Sequence, residues 1–143
     1  MAQTALIHFG GDETILDTET AERALELALS RGDVETVHGL FVVDTRRHGE
    51  PALSSDELLV DELEDLGHDL LARFDGLAAA HGVDAETRCC HGTPHEELVA
   101  HAESIGADVV VVVGPRPPHR LRTRLEDVAD VQYTRGRAET SRY

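Results

Sequence analysis

Residues 91–114 read HGTPHEELVAHAESIGADVVVVVG, and this stretch decides the fold. Thr93 and Glu96 have the Thr-x-x-Glu spacing of a capping box, and Pro94 falls at the first helical position, where a missing N–H costs nothing. Leu98, Ala102 and Ile105 recur at helical spacing, and Gly106 is a suitable stop. The run that follows, 107–113, is too uniformly apolar for a strand with one face in water. It is the pattern of a central parallel strand buried on both faces. A helix feeding directly into such a strand is one unit of an α/β sheet.

The same alternation extends upstream. Thr4 to Phe9 (TALIHF) forms an apolar strand ending at Gly10-Gly11. Residues 18–31 place Ala21, Ala24, Leu25 and Ala28 on one helical face, with Gly32 as the stop. Residues 34–44 (VETVHGLFVVD) are a second strand, and the polar, Gly/Pro-containing stretch from Asp44 to Leu53 is a loop. Ser54 and Glu57 open a long helix whose face is marked by Leu59, Leu63, Leu66, Leu70, Phe74 and Leu77, with Gly82 ending it. Residues 83–91 (VDAETRCCH) alternate as a third strand. The order is β-α-β-α-β-α-β, with connections long enough for parallel pairing. A doubly wound, three-layer α/β/α sheet is predicted. Beyond Gly114, RLRTRLEDVADVQYTRG holds a fourth helix and a short fifth strand, DVQYTR. The expected organisation is one domain over 1–135 with a flexible tail over 136–143.

Composition narrows the function. Among 143 residues there are 28 acids and 13 bases, a net charge of −15, and every base is Arg. Such an acidic surface excludes nucleic acid and anionic membrane as main partners. Together with the missing Lys it resembles the cytoplasmic protein of a halophile. No apolar run approaches a membrane span, and the N-terminus lacks a secretory pattern, so a cytoplasmic location is expected. The charge is uneven: residues 114–143 hold 7 of the 13 Arg and only 4 of the 28 acids. The basic part begins in the loop after the valine run, GPRPPHRLRTR.

In open α/β sheets ligands bind beyond the carboxyl ends of strands, where strand order reverses. Two strands here end in glycine, at Gly10-Gly11 and at Gly114, where a ligand can approach the backbone. Their pairing matters only if the first and fourth strands are neighbours, which pattern alone does not establish.

At this point the chain resembles the universal stress protein (UspA-like) family over roughly residues 4–132. ALIHFGGDE resembles the family's first strand and loop, and VHGLFVVD its second strand. HGTPHEELVAHAESIGADVVVVVG resembles its Gly-x-Pro, helix and Ala-Asp-strand-Gly block, with Gly92, Pro94, Ala107, Asp108 and Gly114 in place. The resemblance implies a Rossmann-like fold, similar to the adenine nucleotide alpha hydrolases, with strand order 3-2-1-4-5. It also implies a homodimer joined through the fifth strand.

Many family members bind ATP. The resemblance assigns that site an Asp after the first strand, a backbone contact late in the second, and Gly-x-x-Gly-x9-Gly-(Ser/Thr) after the fourth. Here the Asp position is Gly10, the backbone position is Val42, and Gly114 keeps the first glycine. Pro117, Asp127 and Val128 take the remaining motif positions. A phosphate cradle points backbone N–H groups at oxygen, and Pro115, Pro117 and Pro118 have none. The expectation is therefore a stress-protein fold with lost or altered ATP binding, no cofactor and no enzymatic activity. The alternative is that Arg116, Arg120, Arg122 and Arg124 hold ATP or another phosphate ligand with guanidinium groups in place of N–H groups, against a plain solvated basic patch. The candidate ligand residues are Gly10, Gly11, Val42, Gly114, Arg116 and Arg120.

Other clusters carry less. Cys89 and Cys90 lie on opposite faces of a strand and cannot easily share an ion, and neither Cys-x-x-Cys nor His-Glu-x-x-His occurs. No metal site is expected, and one thiol should be buried with the other near the surface. A redox role for the exposed one is a further hypothesis. His8 occupies the family's usual Pro position near the expected cleft. No nucleophile elbow or catalytic triad is present.

Overall fold

The computed structural model describes residues 3–9, 18–30, 32–44 and 54–134, with side chains from residue 62 onward in the last segment. Gly10, Gly11, the loop after Asp44, the side chains of Ser54, Glu57 and Leu59, and the tail over 136–143 lie outside the described residues.

The elements run β1 (Gln3–His8), α1 (Thr18–Leu29), β2 (Val34–Asp44), α2 (Ser54–Ala80), β3 (Asp84–Gly92), α3 (Pro94–Ile105), β4 (Val109–Val113), α4 (His119–Val128) and β5 (Asp130–Thr134). The five strands form one sheet in the order β3-β2-β1-β4-β5, and every neighbouring pair is parallel. The predicted fold class, strand order and fifth strand are all present. Strand order reverses between β1 and β4, which are hydrogen-bonded neighbours with Ile7 opposite Val111 and His8 opposite Val112.

Alternation along each strand sends odd and even residues into two separate cores. Ala5 and Ile7 of β1, with Phe9 just after it, face α1 and α2 together with Phe41, Phe74 and Val111. Leu6, Leu40, Val42, Val110 and Val112 face α3 and α4, packing on Leu98, Ala102, Leu121 and Leu125. All five valines of β4 are buried, as the apolar run requires. All three Phe of the chain sit in the α2-side core, where Phe9 meets Phe74 edge-on with ring centroids 5.5 Å apart.

Two details differ from the sequence expectation. Leu66 is 37% exposed. The face that α2 buries runs through Leu63, Gly67, Leu70, Leu71 and Phe74, because the Phe41 ring lies against Gly67 and occupies the space a side chain there would need. The capping box at Thr93 is not formed: Thr93 has extended backbone at the N-cap but makes no side-chain cap hydrogen bond. Its carbonyl still accepts the first helical bond from Glu97 N–H at 2.9 Å.

Asp108, one of the family-like residues, ties the two central strands at their starts. Its carboxylate accepts a hydrogen bond from Thr4 N–H at 3.0 Å, and its own N–H donates to Thr4 O at 2.8 Å.

Candidate functional site at the strand ends

The carboxyl ends of β1, β2 and β4 meet the N-termini of α3 and α4 at one end of the sheet. Pairing of β1 with β2 stops at His8 opposite Leu40, while β2 continues to Asp44. Val42 lies in that extension, fully buried and opposite Cys90. Across the sheet, β4 ends at Gly114, whose φ of +105° favours glycine. Gly114 N–H is not turned to the cleft; it donates to Thr134 O of β5 at 2.8 Å.

The connector from β4 to α4 is only Gly114–Pro118. Pro115, Pro117 and Pro118 offer no N–H. Pro118 is the N-cap of α4 without a side-chain cap, and no acid occupies the first turn. The helix thus begins directly after the proline pair. Asp127 and Val128, mapped onto the motif's distal positions, lie in the last turn of α4. The helix from His119 to Glu126, about 12 Å at 1.5 Å rise, separates them from the connector, and Asp130 N–H bonds Asp108 O at the opposite end of the sheet. Asp127, which takes a glycine position of the motif, is therefore carried to the far end of α4, away from the connector.

The four arginines do not converge. The Arg116 guanidinium stacks 4.6 Å above the Tyr133 ring, a cation–π contact. Arg124 reaches back to α3 and grips the Glu103 carboxylate through Nε at 3.0 Å and Nη2 at 2.8 Å. Each holds the other ionised: Arg124 lowers the Glu103 carboxyl, and Glu103 raises Arg124. Arg122 Nη2 lies 3.4 Å from His119 Nδ1. Arg120 is exposed at the start of α4, with no ion pair among the described residues. Gly114, Arg116 and Arg120 thus share one end of the sheet, whereas Arg124 belongs to an α3–α4 pair.

Sequence reasoning gave His8 little weight beyond its nearness to the cleft. It is 1% exposed at the end of β1, and neither ring nitrogen has a hydrogen-bond partner. Its ring faces His95, the second residue of α3, with centroids 6.0 Å apart. Burial, reinforced by His95, pushes its pKa from 6.5 down to about 3. The Pro94 backbone is near enough to oppose that shift slightly, but not in hydrogen-bonding geometry. His95 Nε2 in turn lies 3.2 Å from Pro115 O. In that contact the ring N–H donates to the carbonyl, joining the start of α3 to the proline connector.

Cys89 and Cys90 are both half-buried, so the expected division into one buried and one surface thiol is not observed. Their faces do differ, Cys89 packing on the α2-side core and Cys90 on the α3-side core. Burial, then Glu64, pushes the Cys89 thiol up to about 11. Burial, then Glu97, raises Cys90. Thiols held in the protonated form are poor redox nucleophiles. No group of three or more potential ligands that could hold a metal ion occurs among the described residues. Among them no helix is long and apolar enough to cross a membrane.

Comparison with known proteins gives this architecture its place. A curated universal stress protein of Methanocaldococcus jannaschii is 32% identical over 102 residues, covering 71% of this chain and 59% of the relative. The chain thus matches about three fifths of that relative's length. Among solved structures, UspA from Lactobacillus plantarum superposes with a TM-score of 0.66 at 19% identity, covering 96% of this chain and 99% of that one. A universal stress protein family protein of Arabidopsis thaliana, solved with AMP bound, has a TM-score of 0.61 at 17% identity, covering 96% and 94%. The model of the universal stress protein family matches residues 9–131, from the end of β1 to the start of β5, and so the chain belongs to the universal stress protein family.

Proposed function

We propose that this chain is a non-enzymatic universal stress protein, a cytoplasmic homodimer acting as a regulatory or interaction module, whose strand-end connector no longer cradles ATP. The carrying observation is the five-residue connector Gly114–Pro118. It contains three prolines, and the N–H of its one glycine is spent on Thr134. A phosphate cradle is made of backbone N–H groups aimed at oxygen, and here only Arg116 N–H is left in the connector to supply one. That the Arabidopsis relative holds AMP makes nucleotide binding the natural comparison, and the connector is where this chain departs from the glycine motif. Calorimetric titration with ATP and Mg²⁺ tests the reading. No saturable heat and no ATP hydrolysis are expected; stoichiometric, tight ATP binding would overturn it.

A second reading is supported by the start of α4. An uncapped helix N-terminus without acids in its first turn, flanked by Arg116 and Arg120, favours an anion. On that reading the cleft takes a phosphate ligand other than ATP. Arg116→Ala with Arg120→Ala should then abolish binding of inorganic phosphate, whereas unchanged binding marks both residues as surface charge.

A further inference from the structure

β3 is an outer strand of the sheet, and among the described strands it pairs with β2 alone. Its nine residues keep register with β2 from Asp84 to Gly92, with no bulge and no proline. An edge strand without such devices presents unpaired N–H and C=O groups to any strand that fits it. Both helix layers sit inboard of this edge. α2 packs closely on β2, with Gly67 on Phe41 and with Leu71 and Phe74 on Gly39. α3 lies over Leu6 of β1 and Leu40 and Val42 of β2. Beside it a hollow of about 380 Å³, lined in part by His38, Arg88 and His101, opens over β3. Glu86, Thr87 and Arg88 are exposed in consequence.

Alternation puts Glu86 and Arg88 on the α3 side with Cys90, and Thr87 on the α2 side with Cys89. The Glu86 side chain is 70% exposed, 3.9 Å from His38 Nε2. A two-fold axis through the edge would join two copies with their β3 strands antiparallel and each residue facing its counterpart set. The charges select the register. Centred on Glu86, the joint opposes two carboxylates; centred on Arg88, it opposes two guanidinium groups. Like charges directly opposite are destabilising. Centred on Thr87, it sets Glu86 of each copy against Arg88 of the other, giving two opposite-charge pairs. A slip by one residue would turn one copy over and exchange its faces. The helices leave room. With α2 over β2, the two α2 axes stand three strand spacings apart, about 14 Å, whereas packed helices need about 8–10 Å.

We propose that the β3 edge joins two copies of this chain in the Thr87-centred register when salt screens the charge between their α2 helices. Helices of about 10–12 Å diameter on such axes leave only a few ångströms between their flanks. Exposed α2 residues include Glu62, Asp65, Asp69 and Asp75, and Arg73 is the base among the described ones. Screening acts over about 10 Å at 0.1 M salt and about 3 Å at 1 M, so this repulsion fades between the two. The Glu86–Arg88 pairs close inside the joint, where screening is weaker. The proposal is independent of what the strand-end cleft binds and of assembly through β5, which is read at about 0.1 M, where the β3 joint is open.

The test is sedimentation velocity on the Val131→Pro chain, which takes the β5 edge out of the measurement, at about 0.1 M and about 1 M sodium chloride. A monomer is expected at the lower salt and a concentration-dependent dimer at the higher. Glu86→Arg alone and Arg88→Glu alone, both at exposed positions, each oppose like charges twice and should weaken the dimer by about tenfold. Mixing these two variants should restore it, because each then meets opposite charge at both positions. In the parent chain the same variants should change only the mass gained between the two salt concentrations. A chain that stays monomeric at about 1 M leaves this edge to an unlike strand and overturns self-pairing. So does association that is stronger at the lower salt, that ignores both substitutions, or that the mixture fails to restore.

Discussion

Phe41 of β2 lies directly beneath Gly67 of α2. A Cβ built on Gly67 would stand 2.7 Å from Phe41 Cε1 and closer still to Cδ1, so the helix reaches the sheet only because this residue has no side chain. Gly67→Ala gains about 1 kcal/mol of helix propensity, but the overpacking costs about 1–3 kcal/mol. A net loss is expected in urea unfolding. Combining it with Phe41→Leu, which withdraws the ring edge, should recover part of that loss. A coupling energy near zero in the double-mutant cycle would show that the contact does not limit packing.

That contact also marks where the sequence stops being legible. The valine run, the glycine stop after Ile105 and the alternation of Asp84–Gly92 each carry a local signal, and each element formed close to its predicted bounds. The buried face of α2 carries a misleading one. Counting apolar residues selects Leu66 and passes over Gly67, because a close approach between helix and sheet is a property of two elements together. The Thr93–Glu96 pattern fits a capping box in sequence, yet the extended backbone at Thr93 is not accompanied by the side-chain bond. At the strand ends, Gly114 and the prolines are plain in the sequence. The engagement of Gly114 N–H with Thr134 and the transport of Asp127 to the far end of α4 depend on where the helix starts. His38, Arg88 and His101 are far apart in the chain, and only strand register and the path of α3 bring them around one hollow.

Asp108 and Thr4 exchange two hydrogen bonds where β1 and β4 begin. The side-chain half is removed in Asp108→Ala while the backbone half remains. The position is exposed, so water takes over part of the lost bond, and a destabilisation of about 1 kcal/mol is expected. Asp108→Asn keeps an acceptor oxygen and should recover most of it. Equal losses for the two variants in chemical denaturation would place the effect elsewhere than in this bond.

Burial keeps His8 neutral in the folded chain down to about pH 3, whereas an unfolded histidine takes its proton near 6.5. Between those values the unfolded state binds more protons, so stability falls as pH falls through the window. The loss from this residue is on the order of 2 kcal/mol at about pH 5, and His101, also lowered, acts in the same direction. His8→Leu removes two unpartnered buried nitrogens and fills a similar volume among Leu40 and Val112. It should raise stability at neutral pH by roughly 1 kcal/mol and lessen the decline between pH 7 and 5. A variant whose unfolding midpoint falls with pH as steeply as the parent's would show that His8 is not what titrates.

The proposed dimer rests on the outer edge of β5, and the register says which residues can be altered without harming the sheet. Asp130 N–H bonds Asp108 O and Thr134 O accepts from Gly114 N–H, so residues 130, 132 and 134 turn their backbone polar groups toward β4. In a strand the intervening residues, Val131 and Tyr133, turn theirs to the free edge. Val131→Pro removes one outward N–H and spares the inward ladder, since proline is tolerated on an edge strand when its missing donor faces outward. Gln132→Pro removes an inward donor and should unfold β5. Light scattering across a range of concentrations is expected to give a dimer for the parent, a folded monomer for Val131→Pro and loss of cooperative unfolding for Gln132→Pro. A parent that stays monomeric at every concentration, or a Val131→Pro chain that still dimerises, would rule out assembly through this edge.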